Sequence, residues 1–318
     1  MKINLARFPI GFKNTLIKSS SDYGFQIVEE NNEADVRIII DPINKENLCS
    51  SKDIVVLVEP ETVRPDLYRK SFLKKFPNIM ALGKYRAERL GLKFWIEFPV
   101  ELPKYVRQDL QIKNKFAIVN ENKFSSSPRS QYGLRRKVIS YFEENMPQEL
   151  DLFGREWNAG KQIELRRRVY ALRNRRSLLN LDFPEVFGNL WKQYDTFVGP
   201  MESDCEQLQN YKASITIEND LDYVSEKVWK SLYAGCPVIY VGPGLTYDPE
   251  LEKCLLIAES NLKSVVSKIS EINDLSQILR LNLKEKGLDF IHSANFNKYS
   301  NQTTAEVFFN TLRAKLMI

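Results

Sequence analysis

The sequence predicts an α/β protein of two domains, each built around a mainly parallel sheet. Three observations lead there. At 318 residues the chain exceeds one ordinary domain. Short β-branched runs such as Val36–Ile40, Ile54–Val58 and Val238–Val241 alternate with helical patterns. Apart from Arg37 these runs are apolar rather than alternating, as strands covered on both faces are. The composition, 43% hydrophobic and 27% charged, is that of a chain that folds along its whole length.

Several function classes are excluded early. Met1–Pro9 lacks the apolar stretch of a signal peptide, and no window approaches the roughly 18 apolar residues of a membrane span, so a cytoplasmic location is expected. Cys49, Cys205, Cys236 and Cys254 form no C-x-x-C pair, which argues against a disulfide framework or a zinc knuckle and for reduced, semi-buried thiols. His292 is the sole histidine. A His-rich metal site is thereby excluded, and acid–base chemistry falls to carboxylates. The net charge of +5 permits an anionic partner without selecting one.

In chain order, Val36–Ile40 and Ile54–Val58 read as strands bounded by Asp and Pro, after which Pro60 and Pro65 lead into a basic, aromatic stretch ending near Leu110. A domain boundary is placed at 103–115, giving domains over 1–110 and 111–300 and a C-terminal helix over 301–318. The second half opens with strand Phe116–Val119 and the loop Ser125–Pro128. A helix follows from about Tyr132, with Leu134, Val138, Ile139 and Phe142 on one face, and then strand Leu150–Phe153 ends on Gly154, a β-α-β pattern. Lys161–Arg176 carries Arg166, Arg167, Arg168, Arg173, Arg175 and Arg176. It is either a solvated helix face or linker, or a peripheral contact with an acidic membrane surface or a contact with a phosphorylated acceptor. No nucleic-acid motif accompanies it, so no nucleic-acid partner is expected. In 301–318, Thr303 and Glu306 match a capping box ahead of Val307, Phe308, Leu312 and Leu316.

The segment Tyr211–Gly242 carries the chemistry. Ala213–Ile217 is a strand, Val228 and Leu232 share one helical face, Gly235 stops that helix, and Val238–Val241 is a further strand. Glu218–Lys227 therefore lies at a strand's carboxyl end leading into a helix N-terminus, where open α/β sheets bind ligands and where N–H groups favour phosphate. Lys227 adds a cation there. Glu226 beside it suits hydrogen bonds to sugar hydroxyls, so the pair reads as a nucleotide-sugar site rather than a bare anion hole. Asp220-Leu221-Asp222 spells D-x-D, which is either a metal–diphosphate motif or a pair of turn and capping residues.

The pattern E-N, then Y-V-S-E-K, a helix, G, P-V and G resembles the signature of the α1,3/4-fucosyltransferases of glycosyltransferase family 10, bacterial type. The helix containing Arg135 and the Asp151-Leu152-Phe153-Gly154 strand resemble the same family, so the likeness covers about 116–242, with a weaker echo in the first half. The resemblance implies the GT-B fold, two Rossmann-like domains facing a cleft, and inverting transfer from a GDP-sugar, usually GDP-fucose. By position it assigns Asn219, Tyr223, Ser225, Glu226 and Lys227 to the donor and Arg135 to its diphosphate. Ser225 stands where the family more often has threonine. The segment Val58–Pro65 resembles the one that supplies the catalytic base, and both Glu59 and Glu61 align there, with Glu59 favoured. The implied acceptor is an oligosaccharide or lipid-linked glycan, with no cofactor beyond the donor and no essential divalent metal. Two other readings remain: a different donor, GDP-mannose or a UDP-sugar, or a non-catalytic protein that binds a polyanion or membrane.

Overall fold

Two separate six-stranded sheets, every strand pair in them parallel, make up the protein's framework. The structure is a computed structural model that describes residues 1–43, 48, 49, 51–102, 112–125, 127–173, 192–202, 204–222, 224–243 and 248–316. The chain divides into two units, one of Met1–Val100 with Asn297–Ile318 and one of Glu101–Phe296. Most of the boundary expected at 103–115 lies outside the described residues.

The first unit contains β1 (Lys2–Ala6), α1 (Ile10–Ser19), β2 (Gln26–Val28), β3 (Val36–Ile40), β4 (Asp53–Leu57), α2 (Lys70–Lys75), β5 (Ile79–Leu82), α3 (Lys84–Arg89) and β6 (Trp95–Ile96). Its strand order is β2-β1-β3-β4-β5-β6, so the winding reverses between β1 and β3. β4 is buried at every position: Asp53, paired with Arg37 at 2.6 Å, opens it, and the apolar run Ile54–Leu57 follows.

The second unit contains β7 (Lys113–Val119), α4 (Tyr132–Asn145), β8 (Leu150–Phe153), α5 (Lys161–Arg173), β9 (Phe197–Gly199), α6 (Asp204–Leu208) and β10 (Tyr211–Ile217). It continues through α7 (Glu226–Tyr233), β11 (Val238–Val241), α8 (Pro249–Glu252), β12 (Leu255–Ile257), α9 (Leu262–Asp274) and α10 (Gln277–His292). Its order is β12-β11-β10-β7-β8-β9. Counted from β7, that is the order of the Rossmann dinucleotide-binding sheet, with its topological switch point between β7 and β10. Phe116 and Ile118 of β7 pack with Leu134, Val138, Ile139 and Phe142 of α4, the face anticipated from their spacing.

The last helix, α11 (Asn301–Leu316), belongs to the first unit, where Ala305, Phe308, Phe309 and Leu312 complete the core around Phe8, Phe12 and Phe25. Its cap differs from the expected Thr303–Glu306 box. Ser300 Oγ accepts the Thr303 N–H at 3.2 Å, so Thr303 lies inside the first turn. Val307, expected on the apolar face, is exposed, and Phe309 is buried instead.

The basic run is also only partly the solvated face it resembles. Arg168 is buried, pairs with Glu164, and lies 4.3 Å from the Phe124 ring centroid; Arg136 covers the same ring at 4.4 Å. Arg167 donates to the Asn122 carbonyl at 3.0 Å. These residues clamp α5 onto the loop after β7, a cation–π arrangement hidden in a charge run. The Arg173 side chain, Arg175 and Arg176 lie outside the described residues. Among the described residues, no helix is long and apolar enough to cross a membrane. Of the four cysteines, all free, Cys49 is exposed and the other three are buried, rather than uniformly semi-buried.

Candidate functional site

At the switch point of the second unit, the chain leaving β10 and the loop after β7 are tied together by side chains. Glu218, 1% exposed, accepts the Ser225 N–H on Oε1 at 2.8 Å. Burial pushes its carboxyl up, while Lys227, the Ser225 hydrogen bonds and Arg135 pull it down; burial prevails. The bond folds the loop back so that Ser225, in extended conformation, becomes the N-cap position of α7. Gly242 makes room for it, since a Cβ there would fall 2.9 Å from Glu218 Cγ and 2.3 Å from the Tyr240 hydroxyl.

Arg135 and Asn219 are in direct contact. The guanidinium of Arg135, itself 2% exposed, donates to the Ile217 carbonyl from Nε at 3.0 Å and from Nη2, and Nη2 also donates to Asn219 Oδ1 at 2.8 Å. Burial lowers its pKa to about 10, which leaves it charged at neutral pH. Nη1 makes no hydrogen bond with the described residues. Glu226 and Lys227 form the first turn of α7, with Lys227 Nζ 3.4 Å from Glu226 Oε1. Burial raises the Glu226 carboxyl, but Lys227, a backbone N–H and Lys230 outweigh it and hold the group below its ordinary value. Tyr223 lies outside the described residues.

Three features here were not singled out from the sequence. Asn120, 3% exposed and immediately after β7, has an amide whose N and O both lack partners among the described residues. A buried unpaired amide costs about 1–3 kcal/mol. Arg129 ties the loop after β7 to the D-x-D triplet: its Nε is 2.8 Å from Asp220 Oδ1 and its Nη2 is 3.5 Å from Asp222 Oδ2. Both aspartates thus face a guanidinium, a pairing that neither reading of the triplet included. Among the described residues, no group of three or more His, Cys, Asp or Glu side chains is disposed to hold a metal ion. Finally, Glu218 itself, read from the sequence only as half of E-N, is the buried latch of the loop.

In the first unit, Asp41 follows β3 with a left-handed φ of 39° and accepts the N–H groups of Val58 at 3.0 Å and Glu59 at 2.8 Å. Burial pushes its carboxyl up to about 6, against the pull of those two N–H groups; the nearby Glu59 charge adds to the rise and Arg64 opposes it. Tyr68 donates to the Glu59 carbonyl at 2.8 Å, so the backbone of Glu59 is held on both sides. Its carboxylate makes no hydrogen bond or ion pair with the described residues. Glu61 differs: it is buried and 3.3 Å from Arg89.

Parallel sheets in both units, one wound in the Rossmann order, define the class of fold as that of the GT-B glycosyltransferases. No protein-family model and no curated protein sequence matches the chain. Among solved structures it is similar to WaaG, a glycosyltransferase involved in lipopolysaccharide biosynthesis, with TM-score 0.54 and 9% identity over 96% of this chain and 99% of that one. It is similar to a glycosyltransferase from Rickettsia africae ESF-5, with TM-score 0.53 and 10% identity over 99% and 98%. An α1,3-fucosyltransferase gives TM-score 0.50 and 12% identity over 98% and 90%. At such identities the likeness establishes the fold.

Proposed function

We propose that the chain is an inverting glycosyltransferase that transfers fucose from GDP-fucose to a hydroxyl of an oligosaccharide or lipid-linked glycan. The observation that carries this reading is the gathering, at one Rossmann switch point, of Arg135 on Asn219 and of Glu226 and Lys227 in the first turn of α7. Those residues stand in the order and spacing that resemble the family 10 fucosyltransferases. All three of the similar folds reported above are named for sugar transfer, which supports the class.

In the proposed reaction a carboxylate of the first unit takes the proton of the acceptor hydroxyl. The acceptor oxygen attacks the anomeric carbon from the face opposite GDP, and the bond from that carbon to the diphosphate oxygen breaks with its electron pair. Lys227, Arg135 Nη1 and the N-terminal N–H groups of α7 stabilise the charge growing on the diphosphate, while Glu226 accepts hydrogen bonds from the sugar. We assign the base to Glu59, because its carboxylate is unpaired among the described residues while Glu61 is held by Arg89. Glu59→Gln is expected to lower kcat about 10²- to 10⁴-fold with GDP binding unchanged. Glu61→Gln is expected to lose mainly stability, through its contact with Arg89. GDP release from GDP-fucose with a glycan acceptor reads the first and thermal unfolding the second, and a fully active Glu59→Gln overturns the assignment.

The donor is tested by unfolding midpoints in a nucleotide panel. GDP at about 100 times its Kd is expected to add roughly 2.7 kcal/mol, a rise of several degrees, without divalent metal. A rise with UDP and manganese but none with GDP would favour a UDP-sugar donor. No response to any nucleotide, together with binding to heparin or anionic vesicles, would favour the non-catalytic reading.

A further inference from the structure

The first unit devotes three buried side chains to one short piece of backbone, Leu57–Glu59, where β4 gives way to the loop carrying Glu59. Asp41, one residue past β3, accepts the Val58 N–H on Oδ1 at 3.0 Å and the Glu59 N–H on Oδ2 at 2.8 Å. Arg86 of α3 donates from Nη1 to the Leu57 carbonyl at 3.2 Å and also to the Val58 carbonyl. The Tyr68 hydroxyl donates to the Glu59 carbonyl at 2.8 Å. Both the N–H and the C=O of Val58 and of Glu59 are therefore held by side chains. Pro60 follows, and its ring disfavours helical backbone at Glu59.

On this fixed main chain the Glu59 carboxylate, half-buried, makes no hydrogen bond or ion pair with the described residues. That combination suits a general base, whose reach is set in advance while its oxygens stay open to a hydroxyl. Of the three holders, Asp41 is the least expected. It stands at a left-handed φ of 39° without being glycine, a conformation that stores strain. Burial also pushes its carboxyl up to about 6, so at neutral pH the fold keeps an ionised group there against desolvation. Water would satisfy the same two N–H groups without that strain, but would not hold the chain in one direction.

We propose that Asp41 is a positioning residue of the transfer reaction, setting the direction from which the Glu59 carboxylate meets the acceptor hydroxyl; this rests on Glu59 as the base. Asp41 acts only through the backbone of Glu59. Asp41→Asn isolates that role: asparagine tolerates the left-handed backbone and keeps the size, but its Nδ2 is a donor, so one of the two N–H groups loses its acceptor. GDP release from GDP-fucose, with water and with lactose as probe acceptors, is measured for wild type, Asp41→Asn, Glu59→Gln and the double variant. Because displacing a reacting group by about 1 Å costs on the order of 10²-fold, Asp41→Asn is expected to lower kcat about 10- to 100-fold, with KM for GDP-fucose within about twofold of wild type. The double variant is expected to be no slower than Glu59→Gln, whereas a residue that only stabilised the fold would multiply the two losses. Tyr68→Phe keeps the ring and frees the Glu59 carbonyl; it is expected to lower kcat in the same way, and it carries the test if Asp41→Asn does not fold. Wild-type kcat in Asp41→Asn, wild-type kcat in Tyr68→Phe where Asp41→Asn does not fold, or multiplied losses in the double variant overturns the proposal and leaves Glu59 as the base. A fully active Glu59→Gln, or wild type that releases no GDP with either acceptor, removes the reading on which the proposal rests.

Discussion

Lys227→Ala is expected to weaken GDP binding by roughly 10- to 100-fold while leaving guanosine binding unchanged and lowering the unfolding midpoint only slightly, since Lys227 also counters the buried Glu218 carboxyl. The side chain leaves the first turn of α7, and its one ion-pair partner among the described residues, Glu226, is 3.4 Å away and itself largely exposed, so the fold loses little with that pair. A charge-assisted hydrogen bond to a diphosphate oxygen contributes about 1.5–3 kcal/mol, and each 1.4 kcal/mol is a factor of ten. Calorimetric titration with GDP and with guanosine separates the diphosphate from the nucleoside. Equal GDP affinity in variant and wild type would remove the donor from the switch point. Arg135→Ala is a less clean probe than its position in the motif suggests. Its guanidinium holds the Ile217 carbonyl and the Asn219 amide inside the unit, so truncation leaves buried acceptors unpaired and lowers stability together with any ligand affinity.

Gly154→Ala is expected to destabilise the second unit by about 4 kcal/mol or more, enough to abolish soluble expression or to lower the unfolding midpoint by roughly 10 °C. The residue has φ 130°, and a Cβ would sit 2.0 Å from the Asn120 carbonyl oxygen and 2.6 Å from its carbon. That backbone has no freedom to withdraw: the Asn120 N–H donates to the Phe153 carbonyl at 2.9 Å, and Trp157 Nε1 donates to the Asn120 oxygen at 2.6 Å. Gly160→Ala is the control, since nothing lies within 4 Å of its added Cβ. Thermal unfolding of the two variants decides the matter, and a Gly154→Ala midpoint within two or so degrees of the control would refute the close approach.

The strands that were legible are those whose two faces are both covered. Val238–Val241 is buried at every position, and a continuous apolar run records that directly; Tyr211–Ile217 is buried throughout as well, although Lys212, Ser214 and Thr216 alternate with its apolar residues. β1 escaped notice because it carries Lys2 and Asn4. Asn4 points inward and is satisfied by the Val28 and Glu29 carbonyls, a pairing across more than twenty residues that no local pattern announces. β6 has only two residues, and β9 is only partly covered. At the candidate site, Glu226 and Lys227 were legible because their neighbours in the motif are contiguous. Arg129 was not, because its partner Asp220 is 91 residues away. The inward turn of Arg167 and Arg168 was hidden for a related reason: a run of arginines has the composition of a solvated face, and only Phe124, Glu164 and Asn122 make part of it a clamp.

The helix α11 gives the molecule an order of assembly. The second unit is one uninterrupted stretch, whereas the first needs Ala305, Phe308, Phe309 and Leu312 to close a core begun at Ile3. On the ribosome, where chains emerge from the N-terminus, the strands made earliest therefore wait for nearly three hundred further residues before their hydrophobic face is covered. The part synthesised first is the part completed last, and a nascent chain halted anywhere before α11 displays an unsealed sheet to the cell's folding machinery.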